Sequence, residues 1–353
     1  MYPLILLRVR VGEREVWFNL SAGWFPAACW GNKSPELALG FNTNFIIVIP
    51  PMRRRGSSRT AELAAMTRTL ATHSTIASGI MNDPFARYFL GPSLQVPYFF
   101  NRLFLDLNPW FWRRGINSVG FLIALCRHRF MRDTLEENLR QGIGQVVILG
   151  AGYDTNILRE PDIFKSAKVF EVDHPNTQKR KRKILDRNSL AIYPETQFVP
   201  HDLETGNLTR VLIDCGLDRE QEVFVIAEGI ISYLSINSID RLFMDLFDLS
   251  DGNVRIAADY RLPQINTKNV PFTIRRWRNE FKMMNERYRS FFSANEIEQK
   301  LMDHGFRIKV NRNMIDLWKE YSMQKPPDHL RQVAGIVITE KMSPHNMKNR
   351  IQK

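Results

Sequence analysis

One short segment constrains the fold of this chain more than any other part of the sequence. Residues 145–149 read QVVIL, and this aliphatic run leads directly into Gly150, Ala151 and Gly152. Such a run is typical of a buried strand, and glycines after it let the backbone turn sharply at the carboxyl edge of a sheet. Open α/β folds bind ligands at that edge. A purely structural turn and a ligand-binding turn are both consistent with these residues.

The pattern after residue 145 predicts an α/β fold. Short β-branched runs alternate with helix-length intervals, which is typical of a parallel sheet covered on both faces. The predicted strands are residues 145–149, 168–172, 196–200, 222–227 and 254–259. Ser293 and Glu296 form a capping-box pattern, which predicts a helix that ends at Gly305. The segments RIKV and VAGIVITEK follow it and predict a closing antiparallel pair of strands.

Changes of pattern divide the chain into three predicted parts. Residues 1–51 show no sustained helical or strand period, which predicts a poorly structured extension. Residues 52–140 predict several helices interrupted at prolines, and we expect them to form a helical cap. Residues 141–345 hold the predicted sheet, with an insertion at 261–292.

The origin of the extension has two interpretations. Met52 is followed by three arginines and then by a helix-favouring stretch at residues 61–71. If Met52 is the native initiator, residues 1–51 are an artefact of the gene model. Otherwise they form a genuine flexible arm.

Composition limits the classes of protein to consider. Lys and Arg number 49 against 37 Asp and Glu, and the net charge of +12 is compatible with nucleic acid, an anionic surface or an anionic substrate. The three cysteines lack the spacing of a zinc site or a disulfide framework, so we expect free thiols in a reducing cytoplasm. Apolar runs such as residues 45–51 are shorter than the roughly 20 residues of a membrane-spanning helix. We expect no membrane span.

Acidic residues follow several predicted strands at the same sheet edge. Asp173 lies 23 residues after Gly150 (173 − 150), close to the spacing at which dinucleotide-binding folds place a ribose-binding carboxylate. Glu171 lies on the same face of that strand and competes for the role. Asp202 follows the next strand, either as a contact to an adenine amine or as a helix cap. Glu228 follows another, and the clustered acids suit a cationic ligand.

Four segments in this order resemble one known family. They read VVILGAGYDT, VFEVDHP, HDL and FVIAEGIISYL. Together they resemble the leucine carboxyl methyltransferase family and its bacterial S-adenosylmethionine-dependent branch, over roughly residues 58–340. The resemblance implies a Rossmann-like class I methyltransferase sheet, mostly parallel with an antiparallel closing strand, and S-adenosyl-L-methionine as the cofactor.

The resemblance also implies roles for residues at the sheet edge. Gly150, Ala151 and Gly152 line the methionine part of the cofactor, and Asp173 holds the ribose. Glu228 lies beside the cofactor.

Further cofactor contacts are implied for two other segments. Asp202 and Leu203 contact the adenine. Arg127 resembles the clamp on the cofactor carboxylate, a role that suits the bidentate geometry of a guanidinium. Arg129 and Arg132 are close neighbours, so the register stays open, and a helix-surface arginine is the alternative.

Two positions depart from the family pattern. Members that methylate protein phosphatases carry a lysine shortly before the segment that here reads SGIMNDP, where this chain has Thr72 and His73. Asn156 replaces the usual arginine after GxDT. Both departures argue against transferring the phosphatase substrate, and neither affects the predicted fold.

Two histidines and one basic run also require interpretation. His73 and His174 are candidate bases, but His174 precedes a proline, so a structural turn is the preferred interpretation. The run Lys179–Lys183 holds five basic residues and is interpreted first as a solvated helix face, with RNA binding as the alternative.

The sequence offers no convincing catalytic base, and this favours methyl transfer to a carboxylate. A carboxylate is already ionised at neutral pH, whereas a hydroxyl usually requires a base. We therefore expect O-methylation of a carboxylate on a small molecule or peptide-like acceptor, covered by residues 58–140 and 261–292. The insertion contains residues that could attract an anion, although an ordinary surface also explains them: Arg275, Arg276, Trp277 and Arg278. An RNA methyltransferase and a cofactor-binding protein without turnover are the alternatives.

Overall fold

A computed structural model describes most of the chain after residue 58 and two short segments before it. The described residues are 6–11, 14–19, 59–73, 77, 79–91, 94–95, 119–165, 167–266, 270, 275, 288–321, 331 and 333–342. The chain forms two compact units, Met1–Ile46 and Ile47–Lys353. In the described part, no helix combines the length and the apolar character needed to cross a membrane.

The first unit contains an antiparallel hairpin that the sequence analysis did not predict. Strand β1 spans Leu6–Val11 and pairs with β2, Arg14–Asn19. Residues 8–11 read RVRV, a strict apolar and polar alternation that is typical of a strand. The prediction overlooked it because the alternation covers only four residues.

The second unit begins with helices and continues into the sheet. Two long helices come first, α1 at Arg59–Thr72 and α2 at Val119–Arg140, with a 3-10 turn at Ala86–Phe89 between them. The strands of the sheet are β3 Gln145–Leu149, β4 Lys168–Asp173, β5 Thr196–Pro200, β6 Val223–Ala227, β7 Val254–Arg261, β8 Phe306–Asn313 and β9 Ala334–Lys341. Among the described residues, the further helices are α3 Asn156–Arg159, α4 Pro161–Phe164, α5 Pro175–Arg187, α6 Leu208–Asp214, α7 Ile236–Phe247, α8 Ala294–Asp303 and α9 Met314–Tyr321. Short 3-10 turns lie at Ile231–Tyr233 and Pro263–Asn266.

The seven strands form one sheet in the order β5-β4-β3-β6-β7-β9-β8. Strands β3 to β7 are parallel, and β9 pairs antiparallel with both β7 and β8. This confirms the predicted α/β class with its antiparallel closing pair. The strand order reverses between β3 and β6, and such a switch point opens a crevice at the carboxyl ends of the strands.

Burial on both faces explains the continuous apolar runs. In β3, Val146 and Ile148 pack into the core that includes α1, α2 and α9, whereas Val147 and Leu149 pack into the core with α7 and α8. A strand covered on both faces has no solvent side, so its sequence shows no alternation.

Helix α5 buries a lysine against an acidic residue of strand β4. Lys181 and Glu171 are both about 1% exposed, and Nζ of Lys181 lies 2.6 Å from Oε2 of Glu171. Burial raises the pKa of Glu171 to about 7, although the positive charge of Lys181 opposes the rise. Lys181 lies on the buried face of α5 together with Thr177 and Leu185, so helical spacing brings it to the sheet.

The solvated-face interpretation of residues 179–183 is therefore correct only in part. Lys179, Arg182 and Lys183 are exposed. Lys181 is buried, and Arg180 forms an ion pair with Glu62 of α1. Acidic partners on neighbouring elements bind these two cations.

The buried pair predicts a large stability loss when one partner is removed. Lys181→Met leaves Glu171 buried without its counter-charge, so the free energy of unfolding should fall by about 3 kcal/mol or more. Denaturant unfolding at pH 7 measures this change. The exposed Lys183→Met is the matched control, and the double change Glu171→Leu with Lys181→Met should recover much of the loss. Equal losses for the two single lysine variants would contradict the account.

Candidate functional site

The glycine turn after β3 has a left-handed backbone at both glycines. The φ angle is +60° at Gly150 and +50° at Gly152. A Cβ at Gly150 would lie 2.9 Å from Cδ1 of Ile230, and one at Gly152 would lie 3.1 Å from Cβ of Ala61. Glycine is therefore required by backbone angle and by close packing. The turn is packed between α1 and the loop after β6.

Asp173 ends β4 beside this turn and accepts a hydrogen bond from the backbone N–H of Gly152. Burial raises the pKa of Asp173, against the hydrogen bonds from the backbone N–H groups of Gly152 and His174. Glu171 lies two residues earlier and is bound to Lys181. Of the two competing acids, Asp173 is the one at the sheet edge.

Asp202 and Leu203 follow β5 at the same edge. Oδ1 of Asp202 accepts from the backbone N–H of Glu204 at 3.0 Å, and Leu203 is buried. Helix α6 begins at Leu208 with Asn207 as its N-cap, so Asp202 shapes a turn and the helix-cap interpretation is wrong.

The guanidinium of Arg127 lies between two carboxylates. Its Nε donates to Oε1 of Glu228 at 2.9 Å, and its Nη1 donates to Oδ2 of Asp259 at 3.2 Å. A Cβ at Gly229 would lie 3.3 Å from Nη2, so the guanidinium packs directly on the backbone after β6. Burial would lower the pKa of Arg127, but Asp259 and Glu228 hold it above its usual range.

The neighbouring arginines bind acids away from this cluster. Nε of Arg129 binds Asp133 within the same helix, and Arg132 binds Glu160. Arg127 is the member of the three that reaches the carboxyl ends of the strands, and the helix-surface interpretation is wrong for it.

Glu228 divides its two oxygens between two donors. Oε1 binds Arg127, and Oε2 lies 3.2 Å from Nδ1 of His128. Burial would raise the pKa of Glu228, but His128 and Arg127 outweigh it and hold this pKa well below its usual range. Glu228 is therefore ionised at neutral pH.

Three residues of this cluster were not among the predicted site residues: Asp259, Arg261 and His128. Asp259 in β7 is 1% exposed and binds Arg127, Nη1 of Arg261 at 2.7 Å and the backbone N–H of Gly229. His128 is 4% exposed. The rule that selected the other strand-end acids, applied to the predicted strand 254–259, would have found Asp259. No sequence signal indicated His128.

A second polar cluster joins α1 and the segment after it to the turn. Asp83 accepts from Nε of Arg68 at 2.8 Å and from Oγ1 of Thr155 at 2.6 Å. Nη2 of Arg68 also donates to the backbone carbonyl of Tyr153 at 2.5 Å. Burial would raise the pKa of Asp83, but Arg68 and its hydrogen-bond donors hold it below its usual range. Residues 153–155 are thus tied to the N-terminal helical region.

The remaining candidates lie away from this cluster or outside the described residues. Nδ1 of His174 accepts from the backbone N–H of Asn176 at 3.3 Å and caps α5, as the turn interpretation expects. His73 follows the end of α1, and its backbone N–H binds Leu70. Asn156 binds Asp154 through its side chain. In the insertion, Arg275 is described, and residues 276–278 lie outside the described residues.

The turn predicts a clear ranking of glycine substitutions. Gly150→Ala should lower the free energy of unfolding by at least about 1 kcal/mol more than Gly216→Ala does. Both glycines have a positive φ, but a Cβ at Gly216 meets nothing within 4 Å, whereas one at Gly150 meets Ile230. Denaturant unfolding measures the difference. Equal losses would show that packing on Ile230 does not contribute.

Comparisons with known proteins identify the family of this chain. The family model described as leucine carboxyl methyltransferase matches residues 61–247. A Bacillus subtilis (strain 168) protein named "Putative S-adenosyl-L-methionine-dependent methyltransferase YktD" is 32% identical over 283 residues, which cover 75% of this chain and 91% of that protein. A similarly named protein from Mycobacterium avium (strain 104) is 29% identical over 287 residues, 76% of this chain and 89% of that protein.

Two solved structures share the fold. A DUF574 family protein from Streptomyces avermitilis MA-4680 aligns with a TM-score of 0.52 at 12% identity, covering 81% of this chain and 98% of that one. A protein from Thermobifida fusca YX named "putative methyltransferase" aligns with a TM-score of 0.51 at 14% identity and the same coverages. These two structures show the fold alone. The match to the family model and the 32% identity to the Bacillus subtilis protein confirm the resemblance: the chain belongs to the leucine carboxyl methyltransferase family.

Proposed function

We propose that this S-adenosylmethionine-dependent methyltransferase transfers a methyl group to a carboxylate of a small molecule or peptide-like acceptor. The supporting observation is that the ionisable groups around Arg127 are already engaged. Glu228, Asp259 and His128 each bind an arginine among the described residues. No group of this cluster is free to act as a general base, and a carboxylate nucleophile requires none.

The charges of the cluster fit the amino-acid end of the cofactor. Nε and Nη1 of Arg127 bind acids of this chain, and its Nη2 has no hydrogen-bond partner among the described residues. We assign Nη2 to the methionine carboxylate, because a guanidinium donates well to carboxylates. The backbone of Gly150, Ala151 and Gly152 would lie along the methionine part.

The other strand ends fit the nucleoside. Asp173 presents a carboxylate to the crevice beside the glycine turn, which suits the two hydroxyls of a ribose. Asp202 and Leu203 offer one acceptor and one apolar surface, which suits the amine and the ring of an adenine. Glu228 lies between these residues and the clamp and adds negative charge next to a cationic ligand.

The protein's part in the reaction is positioning. The cofactor would supply a methyl group that its sulfonium already activates, so no acid or base is needed to activate that group. The chain has to hold the acceptor carboxylate in line with that methyl group and exclude water. We propose that residues 58–140, within the helical cap 52–140, cover the acceptor together with the insertion 261–292. The cofactor-binding core is residues 141–345, which contain that insertion.

The competing interpretations receive less support. An RNA methyltransferase draws on the charge of +12, but two of the five residues in the basic run 179–183 bind acids of this chain. A cofactor-binding protein without turnover shares the site and differs only in product formation.

We also propose a cytoplasmic location. Cys126 and Cys215 are free thiols, as expected in a reducing compartment.

Calorimetry tests the cofactor assignment. Asp173→Asn should weaken binding of S-adenosylmethionine about tenfold, because a carboxylate that binds hydroxyls is replaced by a neutral amide. Asp186→Asn, an exposed acid on α5, is the matched control and should bind like the wild type. Absence of binding by the wild type, or equal affinity for Asp173→Asn, would contradict the assignment.

The chemistry of the product tests the acceptor class. After incubation with methyl-labelled cofactor and a metabolite extract, we expect the label in products that release methanol under mild alkali. Methyl esters hydrolyse under these conditions, whereas methyl ethers, methylated amines and methylated bases keep the label. Alkali-stable label would overturn carboxylate methylation, label in ribonuclease-sensitive material would indicate RNA, and absence of labelled product would favour the protein without turnover.

A further inference from the structure

His128 is buried in α2 with both ring nitrogens engaged. Nδ1 lies 3.2 Å from Oε2 of Glu228, and Nε2 lies 3.2 Å from Nη2 of Arg159. The ring therefore bridges the end of β6 and helix α3. Neither His128 nor Arg159 belongs to the residues assigned above to the cofactor.

The two partners determine where the proton of the ring lies. A guanidinium can only donate, so Nε2 of His128 has to accept from Arg159. A carboxylate accepts, so Nδ1 carries the proton and donates it to Glu228. The neutral ring satisfies both contacts, and the identity of its tautomer follows from its neighbours.

Arg159 continues the chain of hydrogen bonds away from the sheet. Its Nη1 donates to the backbone carbonyl of Asn82 at 3.1 Å, and its Nη2 also donates to Oδ1 of Asn156. The next residue after Asn82 is Asp83, which is bound to Arg68 and Thr155. A continuous polar path thus runs from segment 79–91 through Arg159 and His128 to Glu228.

We infer that His128 is a positioning residue for the cofactor: it orients Glu228 against Arg127 and ties this pair to segment 79–91. The side chain of Glu228 is 18% exposed. The contact of Oε1 with Arg127 alone would let the carboxylate rotate, and the contact of Oε2 with His128 prevents this rotation. Fixing that oxygen holds Nε of Arg127, which leaves Nη2 directed at the carboxylate of the cofactor. The inference rests on the proposed function.

Calorimetry with S-adenosylmethionine tests the positioning role. His128→Ala removes the donor to Glu228 and should weaken binding about tenfold. His128→Asn should bind within a few-fold of the wild type, because the amide nitrogen of asparagine lies about where Nδ1 does and can still donate.

A buried polar residue elsewhere on α2 is the matched control. Asn138 is 7% exposed, and its side chain binds Thr134 and Arg255 far along the helix from Glu228. Asn138→Ala should lower the thermal midpoint without the cofactor as His128→Ala does, but leave affinity within about twofold. Equal affinity of His128→Ala and wild type would overturn the inference and leave the proposed function intact. No binding by the wild type would overturn both.

Hydrogen exchange tests the link to segment 79–91. In the wild type we expect the cofactor to slow amide exchange in this segment, for example at Phe85 and Ala86, whose N–H groups bind Asp83. His128→Asn keeps the bond to Glu228 but has no atom that reaches Arg159, so the slowing should be lost. Unchanged slowing in this variant would overturn the link.

Discussion

The buried guanidinium of Arg127 is the group on which the rest of the site depends. It joins α2 to the ends of two strands through Glu228 and Asp259. A buried arginine without such partners would destabilise the fold by several kcal/mol. The three groups therefore fix one another. Gly229 lets the guanidinium lie directly on the backbone, since a side chain there would push it away.

The charges around Arg127 suit the amino-acid end of the cofactor in the proposed site. Arg127 and Arg261 carry two positive charges, and Glu228 and Asp259 carry two negative ones. In the proposed site, an incoming carboxylate would meet a donor without net repulsion, and Asp173 and Glu228 would add negative charge near a sulfonium. Preorganised charges of this kind cost no rearrangement when the ligand binds.

The sheet could be predicted from the sequence, whereas the side-chain contacts around it could not. A strand such as β3, buried on both faces, leaves an unbroken apolar run that cannot be mistaken for a surface element. The choice between Glu171 and Asp173 depended on Lys181, whose burial follows from the face of α5 that meets the sheet. His128 was missed because its partners are about 30 and 100 residues away along the chain, so no local pattern contains the contact.

A crystal structure with bound S-adenosylhomocysteine tests the roles proposed for Arg127 and Asp173. The amino-acid carboxylate should lie within hydrogen-bond distance of Nη2 of Arg127, and the ribose hydroxyls should bind Asp173. Glu228 should keep its contacts to Arg127 and His128. A carboxylate bound by another cation, with Arg127 still closed between its two acids, would contradict the account.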